Sequence, residues 1–217
     1  LGQAKVRAKR TGRPSLVEAE RLTEHIVEVA ARFFLEQGFD ATSIDQIAAA
    51  AKISKRTLYA RFPTKADLFE AVIVTAYEAS IRSMEKAERK AGTTQDRLYA
   101  LSLSLWADLS TAESIARDRL VIAEAVRFPH MAQIMNNAGV QRAAQIVEHI
   151  LLDGIAAGEI RQLDARFAAE QFFNAVLLGA RQRVLIGLEP PELTYIRKRQ
   201  LQRSVELFLH GCGSGKA

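Results

Sequence analysis

The sequence predicts an all-α fold of about nine helices, with an N-terminal three-helix helix-turn-helix domain and a larger helical domain after it. Three observations predict this. All five prolines (14, 63, 129, 190 and 191) fall between helical patterns, where they act as stops. No segment sustains the period-two alternation of half-buried strands. Residues 42–68, TSIDQIAAAAKISKRTLYARFPTKADL, read as two short helices joined by a tight turn and followed by the capped start of a third.

Taken in order, Ser15 with Glu18 has capping-box spacing and opens a helix from about Leu16 to Gln37. Leu22, Ile26, Val29, Ala30 and Phe33 form its apolar stripe, and Gly38 occupies the C′ position. Thr42 opens the second helix, with Asp45 three residues on, and Ile44, Ile47 and Ala48 give it one apolar face. After the break at Lys52-Ile53, Ser54 caps a third helix that carries Lys55, Arg56, Thr57, Tyr59 and Arg61 and is anchored by Leu58 and Phe62. Pro63 ends it, and Thr64 with Asp67 caps a fourth helix from about Lys65 to Lys90. A fifth helix starts near Thr94, and Ser110 with Glu113 marks the start of a sixth. The seventh follows Phe128-Pro129 and ends near Gly158, the eighth runs from Asp164 to Gly187, and the ninth follows Pro190-Pro191. The implied organisation is a basic arm (1–14), a helix-turn-helix domain (15–80, motif about 43–62), a helical domain (81–210) and a flexible tail (211–217).

Charge follows the same division. The first 65 residues hold 12 Lys or Arg against 7 Asp or Glu, whereas the rest hold 18 of each, so the formal excess of +5 lies entirely in the first third. Phosphate neutralisation by Lys and Arg supplies much of the affinity for nucleic acid. A short helix with buried anchors and exposed Ser, Thr, Lys and Arg is the form that enters the DNA major groove. Other classes find little footing. No apolar run approaches the roughly 20 residues of a membrane span, and the basic N-terminus lacks the apolar segment of a secretory signal. The single Cys212 excludes an intramolecular disulfide framework, and a cytoplasmic location is expected. His25, His130, His149 and His210 show no metal-ligand spacing, and there is no phosphate loop, nucleophile elbow or Cys pair. Neither a catalytic site, a metal nor a cofactor is expected.

The block from Phe33 through Gly38-Phe39, Thr42, Ile47-Ala48, Ser54, Thr57-Leu58-Tyr59, Phe62 and Lys65 to Leu68 resembles the DNA-binding domain of the tetracycline-repressor-like (TetR/AcrR) family over about residues 20–80. The stretches RLVIAEAVRFPHMA and DARFAAEQFFNAVLLGARQRVLIG are similar, more loosely, to ligand-binding domains of one branch of that family. The resemblance implies a homodimeric, usually repressing transcription factor, released from a palindromic double-stranded operator by a small molecule. One position departs from the pattern: Lys52 stands where the turn normally carries glycine. A left-handed lysine there costs about 1 kcal/mol, so either the turn is adjusted or Lys52 accepts the strain and places its ammonium near a phosphate.

Site residues follow from spacing and resemblance together. Lys55, Arg56 and Thr57 lie near the start of the reading helix, within reach of base edges; Arg56 either bridges a guanine or stays on phosphate. Ser54 and Arg61 share that helix, and the family pattern places the Tyr59 hydroxyl on a phosphate. Thr42 and Lys65, at helix starts, are expected to make backbone-positioning contacts. The arm with Arg7, Lys9, Arg10 and Arg13 either follows the minor groove or is a solubilising tail.

In the second domain, helix 5 is uncharged and apolar nearly all round from Leu98 to Ala107, which predicts burial on every side. Tyr99, Ser102, Leu103 and Trp106, with Phe128, Met131 and Met135, are candidates to line a pocket for a small apolar organic ligand, or else are plain core. Helices 8 and 9, through Phe172, Ala175, Val176, Gly179, Val205 and Phe208, form either a four-helix dimer bundle or ordinary intrachain packing. Helix 4, beginning in one domain and ending in the other, is the natural lever between them. The alternative function is a constitutive DNA-binding or architectural protein whose second domain only dimerises.

Overall fold

The structure, a computed structural model, describes residues 16–88 and 91–211. The basic arm, Ser15 and its capping box lie outside them. The described residues form nine helices, and the chain separates into two compact units, one up to Val72 and one from Ile73 onward.

The first unit contains α1 (Leu16–Ala41), α2 (Ile44–Ala50), α3 (Lys55–Tyr59) and the opening turns of α4 (Lys65–Glu88). Helix α1 continues past the expected Gln37, but its backbone breaks at Gly38 (φ 83°, ψ 172°), a conformation that side-chain-bearing residues resist. The break turns Phe39 inward, where its ring lies 5.8 Å from Phe34 and 5.2 Å from Phe69. Ile26, Val29 and Ala30 are buried as expected; Leu22 and Phe33 are only half-buried, and Val27 and Phe34 complete the inner face instead. Helix α2 is capped by Ser43, not Thr42: the Ser43 oxygen accepts from Gln46 N–H, and the Gln46 side chain accepts from Ser43 N–H. Thr42 is displaced from that role because its hydroxyl turns inward, 2.8 Å from the Gly38 carbonyl and 3.1 Å from that of Phe33. Ser54 caps α3 as expected, and Thr64 and Asp67 form the reciprocal pair that opens α4.

The second unit holds the remainder of α4, then α5 (Thr94–Leu109) and α6 (Ala112–Glu124). Helix α7 comprises Pro129–Ile134, a π-helical stretch Met135–Gln141 and Arg142–Ala156. Helix α8 comprises Ala165–Phe172, a second π-helical stretch Phe173–Leu178 and Gly179–Leu185, and α9 spans Tyr195–His210. Thr111 rather than Ser110 caps α6, its oxygen accepting from Ser114 N–H. Helix α5 is not buried all round. Leu98, Leu101, Ser102, Leu105 and Trp106 make one inner stripe, Tyr99 and Leu103 flank it half-buried, and Ala107 is exposed. Its start presses so closely on α7 that a Cβ at Gly154 would lie 2.2 Å from the Thr94 hydroxyl. The core joins α5, α7, α8 and α9 through Leu98, Leu105, Val147, Ile150, Phe172 and Leu201 among others.

A polar node is buried in this unit. Asp118 accepts from the Tyr77 hydroxyl at 2.9 Å, from Arg117 Nε at 3.3 Å and from Arg181 Nη2 at 2.6 Å. Arg117 also stacks on the Tyr77 ring, 4.7 Å from its centroid. One carboxylate therefore serves two guanidiniums that are both over nine-tenths buried. Burial and the neighbouring carboxylate push the Tyr77 hydroxyl far above its ordinary pKa, so it stays protonated and donates. Arg119, next along α6, donates to the Leu185 and Val184 carbonyls at 2.7 and 3.2 Å, capping the end of α8. Removing the one acid of a buried pair typically costs about 3–5 kcal/mol. Asp118→Ala should lose roughly that much unfolding free energy in urea denaturation, with Asp118→Asn losing less because its amide oxygen still accepts.

Candidate nucleic-acid interface

The reading helix is only five residues long, so its position comes from caps and anchors rather than from its own propensity. Leu58 is fully buried and Phe62 nearly so, while Ser54, Lys55, Arg56 and Tyr59 are exposed and Thr57 is half-buried. Ser54 Oγ accepts from Thr57 N–H at 3.0 Å and lies 2.8 Å from the Thr57 hydroxyl. Lys55 pairs with Asp45 of α2 at 2.6 Å; both side chains are largely exposed, so the pair contributes little to stability but does occupy the ammonium. Arg61 folds back to the Thr57 carbonyl at 3.3 Å. Arg56 and Tyr59 make no side-chain hydrogen bond, ion pair or ring contact among the described residues. They are the free members of the expected reading set.

The turn before this helix is a Schellman motif. Ile53 N–H donates to the Ala48 carbonyl and Lys52 N–H to that of Ala49. Lys52 adopts the left-handed conformation (φ 56°), so the turn keeps the geometry that glycine normally supplies. Lys52 is exposed, and of the two readings its glycine position offered, an adjusted turn or a strained lysine, the backbone takes the second.

Two residues expected on phosphate have partners within the chain. Thr42 is 1% exposed, with its hydroxyl committed to carbonyls of α1. Lys65 places its ammonium 2.8, 3.3 and 3.0 Å from the carbonyls of Phe39, Asp40 and Thr42, and 4.5 Å from the Phe39 ring centroid. It caps the carbonyl end of α1, a structural role that the sequence did not announce. The four named arm residues, Arg7, Lys9, Arg10 and Arg13, lie outside the described residues.

In the second unit, Trp106 and Met131 are buried in packing. The Trp106 indole N–H donates to the Pro191 carbonyl at 3.1 Å, and Arg197 covers its ring at 4.2 Å. Arg197 pairs with Glu189, which Arg183 holds at 2.6 Å on its other oxygen. These bonds, that from Arg183 first, lower the Glu189 pKa. Ser102 is buried with its hydroxyl on the Leu98 carbonyl at 2.8 Å. The polar handles of Ser102 and Trp106 are thus spent on structure; Tyr99, Leu103, Phe128 and Met135 remain half-buried.

Two open depressions of this unit, among the described residues, lie elsewhere. One, of about 950 Å³, is lined by Thr94, Leu151, Ile160, Phe167 and Phe208 among others. A smaller groove of about 210 Å³ between α8 and α9 is lined by Ala175, Gly179, Arg183, Gln200 and Ser204 among others. Of the residues expected at a dimer interface, Ala175 and Gly179 are exposed. Phe172, Val176 and Val205 are instead buried within the chain, and Phe208 is half-buried against Phe172 at 5.0 Å.

Lys65→Met should therefore lower stability by about 1–3 kcal/mol through its orphaned carbonyls. The salt dependence of DNA binding should keep its slope, as read by denaturation and by fluorescence anisotropy across a salt series.

Comparison with known proteins agrees with this geometry. The signature of bacterial regulatory proteins of the tetR family matches residues 26–72, and that of the AefR-like transcriptional repressor C-terminal domain matches residues 96–211. An HTH-type transcriptional regulator of Mycobacterium tuberculosis is 27% identical over 135 residues, 62% of this chain and 63% of that protein. The match thus spans less than two thirds of that relative's length. Among solved structures, a TetR-family transcriptional regulator from Mesorhizobium loti superposes with a TM-score of 0.76 at 23% identity, covering 88% of this chain and 96% of the other. The flavonoid-responsive regulator FrrA superposes with a TM-score of 0.72 at 28% identity, covering 91% and 100%. With its capped reading helix and its Schellman turn, the chain belongs to the tetR family of DNA-binding bacterial regulatory proteins.

Proposed function

We propose that the protein is a homodimeric transcriptional repressor that binds a palindromic operator and is released from it by a small apolar organic molecule. The observation that carries the DNA half is the exposed face of α3, where Arg56 and Tyr59 stand free beside the Ser54 cap. A planar guanidinium in that position suits the O6 and N7 acceptors of guanine, and a phenol at 48% exposure suits a phosphate oxygen. Repression is supported by the AefR-like repressor match over residues 96–211.

Dimerisation rests on the outer face of α8 and α9. Ala175 and Gly179 are exposed, a Cβ at Gly179 would meet nothing within 4 Å, and Ile186, Tyr195, Ile196 and Leu207 are more than half exposed. Small residues permit close approach and the apolar ones reward it, so a second copy across a two-fold axis is the fitting occupant. Two half-sites about 34–36 Å or more apart would then be read together.

Ligand release is supported by the flavonoid-responsive relative, and the half-buried Tyr99, Leu103, Phe128 and Met135 are the residues through which we read it. Helix α4, shared between the two units, is the proposed link. A tenfold release needs only about 1.4 kcal/mol of differential affinity for the two conformations. A constitutive DNA-binding protein is the second reading, favoured by the packing of Ser102, Trp106 and Met131 into the core.

Arg56→Ala should relax base preference at one position of each half-site by about 1–3 kcal/mol in competition gel shifts with DNA from beside its own gene. Equal affinity of the wild type for that DNA and for scrambled DNA would overturn the operator reading. Gly179→Glu should yield monomers by light scattering and lose operator affinity. Leu103→Trp should abolish release by flavonoids or related apolar compounds while operator binding persists; if no such compound releases the wild type, the constitutive reading stands.

A further inference from the structure

Lys52 holds a left-handed backbone at the C′ position of α2, where glycine would sit without strain. Nothing within the fold repays that cost. Its side chain is exposed and makes no hydrogen bond, ion pair or ring contact among the described residues. Backbone strain without a structural return points to a function for the side chain.

The neighbouring cations sharpen the point, because most are already engaged. Lys65 is held by three carbonyls, Lys55 by Asp45 and Arg61 by the Thr57 carbonyl. Lys52 and Arg56 are left as the free cations of the turn and reading helix, and they differ in kind. Arg56 is a planar fork within the helix that reads bases; Lys52 is a compact charge on a flexible stem, two residues before the Ser54 cap. A point charge on a mobile stem can meet a phosphate oxygen and lacks the planar fork with which an arginine fixes its geometry on a base edge. Resting on the DNA-binding reading, we infer that Lys52 is a phosphate-anchoring residue, its charge gained at the expense of turn stability.

The test uses the full chain, its Lys52→Gly, Lys52→Asn and Lys52→Arg variants, and a labelled duplex of about 30 base pairs of arbitrary sequence, long enough for two half-sites. Phosphate anchoring is independent of sequence, so no operator is needed. Lys52→Gly should melt about 2–4 °C higher than the wild type. It should also bind the duplex several-fold more weakly, with the slope of log affinity against log salt reduced in magnitude by about two, one for each subunit's lost phosphate contact. Lys52→Asn, neutral but tolerant of the left-handed region, should match the glycine variant in binding, and Lys52→Arg should restore affinity and slope without raising the melting point. A glycine variant that binds with unchanged affinity and slope overturns the inference, as does one that melts no higher than the wild type. A wild type that fails to bind duplex DNA overturns the DNA-binding reading itself, which is a separate result from wild-type binding that Lys52 does not affect.

Discussion

The ammonium of Lys65 closes the problem on which the first unit depends. An α-helix leaves its last carbonyls without partners, and a helix end inside a small core must find donors for them. The break at Gly38 aggravates this, because it drives Phe39 into the interior and leaves the backbone around it turned inward. Lys65 brings one charged group to three of these oxygens, and the Thr42 hydroxyl serves Gly38 and Phe33 from the other side. With the carbonyls satisfied, the Phe34, Phe39 and Phe69 rings pack together, and α2 and α4 start from a common point. The reading helix sits between those two in the chain and inherits its placement from them. Five residues could not hold a helical conformation unaided.

The second unit solves a different problem with a similar economy of acids. Asp118 alone answers a phenol and two guanidiniums from α4, α6 and α8, and adjacent Arg119 caps the end of α8. Buried charge of this kind adds little net stability over well-packed apolar groups, but it penalises any arrangement in which the helices slide relative to one another. Between α5 and α7 the constraint is steric, with Gly154 of α7 admitting the Thr94 side chain at the start of α5. These helices are thus pinned at discrete points, between which ordinary Leu, Ile and Val packing fills the space.

Helix number, the Gly38 break and the caps at Ser54, Thr64 and Asp164 were legible because each depends on residues within one turn of chain, whereas the Lys52 turn was left between two readings that only the backbone decides. The misreadings depend on distance. Thr42 and Ser43 are adjacent and equally good caps, and long-range burial of the Thr42 hydroxyl decides between them. Ser110 and Thr111 posed the same choice. The partners of Lys65 lie 23 to 26 residues away, and Trp106 bonds to a carbonyl 85 residues on, so no local pattern announces either role. In the candidate interface the reading helix and its free Arg56 and Tyr59 were visible from spacing and charge. Which lysines were free was not, because that is settled by carbonyls and a carboxylate elsewhere in the unit.

The π-helical stretch Phe173–Leu178 has a further consequence for α8. A π turn accommodates one additional residue, and each residue of an α-helix turns the chain by about 100°. Before the stretch the inner face runs through Ala165, Ala169 and Phe172; beyond it, Arg181 and Val184 point inward while Gly179 and Arg183 point out. Deleting a single residue there would restore regular winding and rotate the Gly179–Leu185 half by about a quarter turn. Arg181 would swing away from Asp118, and a different set of side chains would be presented outward. The phase of that one turn therefore decides which face of the second half of the helix is surface and which is core.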